Sequence, residues 1–195
     1  MENPEKFSLE EFAHWFTLKQ SSIGPPTQYL GNKVSQVTLD DGTQCWSLSS
    51  SQYIQNAVKN VEDHLAKTGR KLPPSTKSPW SSGYRPETDT SPELSASDAA
   101  YFQSLIGVLR WIVELNRIDI CMETSALASM MALPREGHLD QVFHMFSFLK
   151  SHHNAVLVLD STTPELDTSA FTDEDWTATV YGECKESIPD NAPEA

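Results

Sequence analysis

The sequence predicts an α+β fold, because apolar residues recur at helical spacing in several separate segments, two strand-like runs flank a turn dipeptide, and a short apolar run, Val156 to Leu159, follows the last helical stripe. At the N-terminus, Ser8 and Glu11 make a capping-box pair, and Leu9, Phe12, Ala13 and Phe16 predict a short amphipathic helix over 9–19, ended by Gly24-Pro25-Pro26. The runs 30–38 and 43–48 have strand character and flank Asp41-Gly42, whose residue types suit the positive φ angles of a β-hairpin turn. Ser49 and Gln52 form a second capping box, and Ile54, Ala57, Val58, Val61 and Leu65 then line one face of a helix that Gly69 should stop.

From 70 to 97 the chain carries Pro73, Pro74, Pro79, Pro86 and Pro92, which remove amide donors and favour extended backbone, so a partly ordered linker running over the surface is expected. The next helix spans about Asp98 to Leu115. Phe102, Leu105, Ile106, Leu109, Ile112 and Val113 cover a wide buried arc, and Gln103, Gly107, Arg110, Glu114 and Arg117 share the opposite, polar face. A helix over 120–132 sets Thr124, Leu127 and Met131 on one side and the small residues Ser125, Ala128, Ser129 and Ala132 on another, where a neighbour can approach closely. After Pro134, residues 137–150 place Leu139, Val142, Phe143, Phe146 and Leu149 in register, widened by Met145 and Phe148, and the strand Val156 to Leu159 closes the unit. The expected organisation is 1–69, 70–97, a three-helix unit at 98–160, and an acidic tail at 161–195.

The net charge of −13 is concentrated at one end: Asp160 to Ala195 holds ten acids against Lys185, leaving only −4 for residues 1–159. Cys45, Cys121 and Cys184 are widely spaced and odd in number, which argues against a disulfide framework or a zinc ribbon. No apolar run approaches the roughly 20 residues of a membrane span, and the acidic N-terminus lacks the features of a signal peptide, so an intracellular protein, cytoplasmic or nuclear, is expected.

Asp40-Asp41 has the look of a two-metal carboxylate pair, but Thr38-Leu39 before it and Gly42 after it are turn chemistry. His138, His144, His152 and His153 share no face with a cysteine or carboxylate at ligand spacing, so structural or solvent roles are expected and no metal site. There is no GxSxG elbow and no phosphate loop ending in Gly-Lys. Two features suit nucleic acid. Residues 59–85 hold Lys59, Lys67, Arg70, Lys71, Lys77 and Arg85 against Glu62 and Asp63, a local +4 that either engages phosphates or is a solvated surface. Beside Gly107, Arg110 is placed to meet a phosphate, or else to pair with Glu114 on a helix-packing face.

Four blocks in order carry a family resemblance: YLGNKV at 29–34, SLSSSQYIQNAVKNVE at 47–62, the stretch 101–160, and SAFTDEDWTATVYGE with the closing IPDNAPEA. Together they resemble the region of copia-type LTR retrotransposon polyproteins that runs from the end of the reverse transcriptase palm, through thumb and connection, to just before the ribonuclease H domain. The resemblance implies that the strands position a primer end, and that a thumb-like helix with Gln52, Tyr53, Asn56 and Lys59 near its start tracks a template-primer duplex. It places the aromatic-x-Asp-Asp motif upstream of Tyr29 and the ribonuclease H carboxylates downstream of Ala195, so this chain is expected to have no catalytic residues and no cofactor of its own. Magnesium belongs to the parent enzyme at residues absent here. The implied partners are the RNA/DNA template-primer and the palm and ribonuclease H domains, with no membrane and no small-molecule substrate. At Asn116-Arg117-Ile118-Asp119 the family commonly has Arg-Pro-Asp, so the helix break lacks its usual proline. The alternatives are a truncated relic acting as a protein-interaction module, and a metal-dependent hydrolase built on the histidines.

Overall fold

The structure is a computed structural model, and it describes residues 11–17 and 24–162. Of the N-terminal helix, residues 11–15 are helical and leave Phe12, Trp15 and Phe16 exposed, whereas Ser8, Leu9 and residues 18–19 lie outside the described residues. The acidic tail beyond Thr162 lies outside them as well.

A two-residue strand, β1 (Gln28–Tyr29), turns directly into β2 (Asn32–Thr38). Strand character was expected from Leu30, but Leu30 (φ 49°) and Gly31 (φ 90°) both take left-handed backbone, the conformation of a two-residue hairpin turn. A left-handed leucine is uncommon, and nothing in the residue type announces it. At the next reversal only Gly42 has a positive φ, 88°. Its amide donates to the Leu39 carbonyl at 2.9 Å, and Asp41 Oδ1 accepts from the Thr43 amide at 2.8 Å, a local bond that holds the Asp41 carboxyl below the usual carboxylate range. The returning strand β3 (Gln44–Ser49) pairs with β2 from Lys33↔Ser49 to Thr38↔Gln44. The expected two-stranded hairpin is thus part of a four-stranded antiparallel sheet, order β1-β2-β3-β4, in which β4 (Val156–Leu159) pairs with β3 from Trp46↔Leu159 to Ser49↔Val156.

Helix α1 (Ser51–Lys67) buries the expected stripe of Ile54, Ala57, Val58, Val61 and Leu65. Its end is closed by Gly69 at φ 70°, with the Gly69 amide donating to Ala66 and the Arg70 amide to Leu65, a Schellman arrangement. Its start departs from expectation. Ser50 is the N-cap and makes no side-chain cap; its hydroxyl donates instead to Asn116 Oδ1 at 2.5 Å, so the Ser49–Gln52 capping box does not form.

Helix α2 (Ala96–Leu115) is capped by Ser95, whose Oγ accepts from the Asp98 amide, and buries Phe102, Leu105, Ile106, Leu109 and Ile112. The short α3 (Cys121–Ala128) follows a 3-10 turn at Ile118–Ile120 and stops four residues before the expected end at Ala132. On the small-residue side Ala128 is half-buried and packs against the core, whereas Ser125, Ser129 and Ala132 are exposed. Helix α4 (Glu136–Ser151) contributes Leu139, Val142, Phe143, Met145, Phe146 and Leu149 to an apolar core shared with α1 and α2.

The proline-rich segment lies along α4 as a strap. The polar residues His138, Gln141, His144 and Ser147 recur every three positions, and each faces strap carbonyls. His138 Nε2 donates to Pro86, Gln141 Nε2 to Pro79 and His144 Nε2 to Ser78, at 3.0, 3.2 and 3.0 Å. The Ser147 hydroxyl sits 2.8 Å from the carbonyls of both Pro73 and Pro74. Leu72, Trp80 and Leu94 of the strap pack against the core. A structural role for His138 and His144 is therefore specific: they anchor the strap.

The strap ends in a clasp at the start of α4. Asp89 Oδ1 accepts from the Ser91 amide and hydroxyl, its Oδ2 accepts from the Tyr84 hydroxyl at 2.7 Å, and the Gly137 amide donates to Ser91 Oγ at 2.8 Å. A Cβ on Gly137 would stand 1.9 Å from Asp89 Oδ2, whereas one on Gly107, in the middle of α2, would meet nothing within 4 Å. Gly137→Ala should therefore destabilise the protein by about 1–3 kcal/mol and Gly107→Ala should stabilise it by about 0.5–1 kcal/mol, both read from urea unfolding midpoints. Desolvation raises the pKa of the Asp89 carboxyl, but the hydrogen bonds from Ser91 and Tyr84 outweigh it and hold the group below 3.8. A carboxyl with a depressed folded-state pKa contributes stability that is complete above its unfolded value and is lost as pH falls through the folded value. The stability difference between the wild type and Asp89→Asn should be constant near neutral pH and shrink as pH drops below 3.8.

Candidate nucleic-acid interface

Helix α1 turns its outer face to solvent, and three of the expected contact residues lie on that face. Gln52, Asn56 and Lys59 are exposed, with Gln52 Nε2 donating to Asn56 Oδ1 at 3.2 Å, so the stripe offers amide donors and acceptors ahead of an ammonium. Tyr53 is not in this stripe. It is half-buried against the core, where burial pushes its hydroxyl pKa up. Arg110 sits on α2, exposed, and among the described residues no hydrogen bond or ion pair joins it to Glu114 or to the α1 residues. On that face Gln103 Nε2 donates to the Met131 carbonyl at 3.0 Å, while the space beside Gly107 is open.

The uncapped start of α1 borders a polar cleft of about 590 Å3, lined by Gln28, Lys33, Ser49, Ser51, Gln52 and Asn154. The first turn carries no acid, the Ser51 amide reaches only Ser49 Oγ at 3.4 Å, and no described group accepts from the Gln52 or Tyr53 amides. Unbonded amides and the positive end of the helix dipole favour an anion there, and Lys33 adds a full charge. His153 fixes one wall, its Nδ1 lying 2.8 Å from Ser51 Oγ and accepting from Gln55 Nε2 at 3.1 Å. Sequence reading missed Lys33 and Asn154. Both stand close to elements it did recognise, but only the β2–β3–β4 pairing brings the two together.

The basic stretch is less available than its count of charges suggests. Arg70 pairs with Asp140 at 2.9 Å and stacks over Phe143, while Lys59, Lys67, Lys71, Lys77 and Arg85 are exposed. Asp40 and Asp41 lie at a hairpin tip, Asp41 is engaged by Thr43, and among the described residues no three His, Cys, Asp or Glu side chains converge. No described helix is long and apolar enough to cross a membrane.

Arg117 does not share the polar face of α2. The helix ends at Leu115, and Arg117 turns inward to become one of the largest fully buried side chains, 1% exposed. Its guanidinium donates from Nε and Nη2 to the two oxygens of Asp119 and from Nη1 to the His152 carbonyl, all at 2.7 Å, above the Phe148 ring. Asn116 completes the break, donating to the Leu48 carbonyl at 2.8 Å while accepting from Ser50, so the helix terminates there without a proline.

No protein-family profile matches the sequence, and no curated protein or solved structure matches it. Arg117→Lys, which cannot reproduce the planar fork, should cost about 1–3 kcal/mol of stability, whereas Arg110→Ala should stay within about 0.5 kcal/mol of wild type. Chemical denaturation of the two variants checks this, and equal losses would contradict the exposed placement of Arg110.

Proposed function

We propose that this chain is a non-catalytic support of a reverse transcriptase, one that holds an RNA/DNA template-primer and links polymerase to ribonuclease H. The observation that carries this reading is the continuity of the Gln52–Asn56–Lys59 stripe with the Lys33 cleft at the start of α1. Along such a surface a nucleic-acid backbone meets phosphate-binding amides first, then an amide pair, then an ammonium. Contacts of this kind position a duplex without reading its sequence, which suits a polymerase accessory surface. Arg110, on a separate helix, is a further phosphate contact in this proposal, and Tyr53 supports the helix from beneath. The proposal assigns catalysis to other domains: phosphoryl transfer rests on metal-bound carboxylates, and the Asp40-Asp41 pair of this sequence serves a turn. The protein works inside the cell with separate palm and ribonuclease H domains.

A protein-docking role is the second reading, favoured by the half-exposed sheet surface on which Trp46 and Leu159 are cross-strand partners. A salt-titrated fluorescence assay on an RNA/DNA primer-template separates the two. Support of a duplex predicts affinity that falls linearly in log–log form with salt, with a slope reduced by about one for each of Lys33→Ala and Lys59→Ala. Absence of salt-sensitive binding at low ionic strength would overturn the proposal in favour of protein docking.

A further inference from the structure

Between the strap and α3 lies a second cleft, of about 360 Å3, whose lining is largely apolar. Trp80 and Tyr84 form two of its walls, their ring centroids 5.8 Å apart and their planes inclined at 57°. Neither ring turns freely: Trp80 Nε1 donates to the Tyr84 carbonyl at 2.9 Å, and the Tyr84 hydroxyl is held by Asp89 in the clasp. Pro86 and Met122 add apolar surface. Glu123 lines the same cleft, and its Oε2 is shielded from water without a hydrogen-bond partner. A shielded, unbonded carboxylate oxygen is costly, and aromatic faces carry negative potential, so both features are relieved by one kind of guest, a cation.

We propose that this cleft binds a small methylated ammonium compound, its cationic head held by the faces of Trp80 and Tyr84 and by the Glu123 carboxylate. A primary ammonium would bring three N–H donors to a lining with one buried unpartnered acceptor, whereas methyl groups suit the apolar walls. The cleft is bordered by a helix and a proline-containing turn rather than a strand edge, so it offers no backbone ladder to an extended peptide, and the cation is carried by a free small molecule. Exposed Glu87 adds to the favourable field, and Arg85, which also borders the cleft, opposes it.

Titration of choline and tetramethylammonium into the full 15N-labelled chain tests the site, with the Trp80 indole N–H resonance identified by its loss in Trp80→Phe. The expected result is a saturable shift of that resonance, with choline binding about tenfold more tightly than its uncharged isostere 3,3-dimethyl-1-butanol. Glu123→Gln should weaken choline about tenfold, and Arg85→Ala should leave it as tight or tighter. The site is overturned by an unmoved Trp80 resonance, by equal binding of the alcohol, by undiminished choline binding in a natively folded Glu123→Gln protein, or by loss of binding in Arg85→Ala. A trimethyllysine peptide binding more than tenfold tighter than choline would overturn the small-molecule assignment. Should Glu123→Gln fail to fold, the comparison of choline with the alcohol on the unaltered chain decides.

Discussion

A proline-rich segment brings carbonyls to a protein surface with too few amides to answer them, and in this structure helix α4 answers them with side chains. His138, Gln141, His144 and Ser147 each donate to the strap, and the Asp89–Ser91–Tyr84 clasp locks its far end onto the first turn of the same helix. Each such bond contributes only about 0.5–1.5 kcal/mol net, while a shielded carbonyl left without a donor costs about 1–3 kcal/mol. The strap therefore persists because detaching it in part exposes no comparable partner, and the buried faces of α1, α2 and α4 are sealed beneath Leu72, Trp80 and Leu94.

The same logic governs the junction of sheet and helices. Asn32 Nδ2 donates to the Leu115 carbonyl at 2.9 Å, Asn116 Nδ2 to the Leu48 carbonyl, and Arg117 to the His152 carbonyl, so three long-range side-chain bonds join the end of α2 to β2, β3 and the end of α4. One consequence reaches the candidate interface. Because Ser50 is drawn to Asn116, it does not cap α1, and the first-turn amides of that helix remain directed at the Lys33 cleft. A bond made for architecture thus leaves an anion-favouring helix end in place.

Charge follows a similar division. An acidic chain repels phosphates at long range, yet local amides and lysines within a Debye length of about 8–10 Å dominate at contact. Lys150 is paired with Glu62 at 2.6 Å and Arg70 with Asp140, which removes two cations from any ligand surface, while Lys59 in the α1 stripe and Lys33 in the adjoining cleft carry no described ion pair. The proposed ammonium cleft beside α3 uses the opposite balance, aromatic faces and carboxylates around apolar walls.

Helical periodicity was sufficient for the apolar faces of α1, α2 and α4, because a 3.6-residue repeat of apolar side chains has one low-energy use in water: a shared core. It nevertheless set Val113, which is half-buried, in the buried arc and passed over Leu115. The Asp41-Gly42 reversal and the Gly69 stop were equally legible, since glycine tolerates the left-handed backbone both require. The resemblance grouped Gln52, Tyr53, Asn56 and Lys59 near the start of this first helix, α1, and only the folded helix separates the exposed Gln52, Asn56 and Lys59 from the half-buried Tyr53. Sequence could not place Leu30 in a turn, Arg117 in the interior, or Ser50 away from its helix, because each depends on a partner remote in the chain or on a backbone state its residue type disfavours. The pairing of β4 with β3, the seating of the strap on α4 and the meeting of Lys33 with Asn154 were decided by tertiary structure alone, where distant donors and acceptors must satisfy one another once water is excluded.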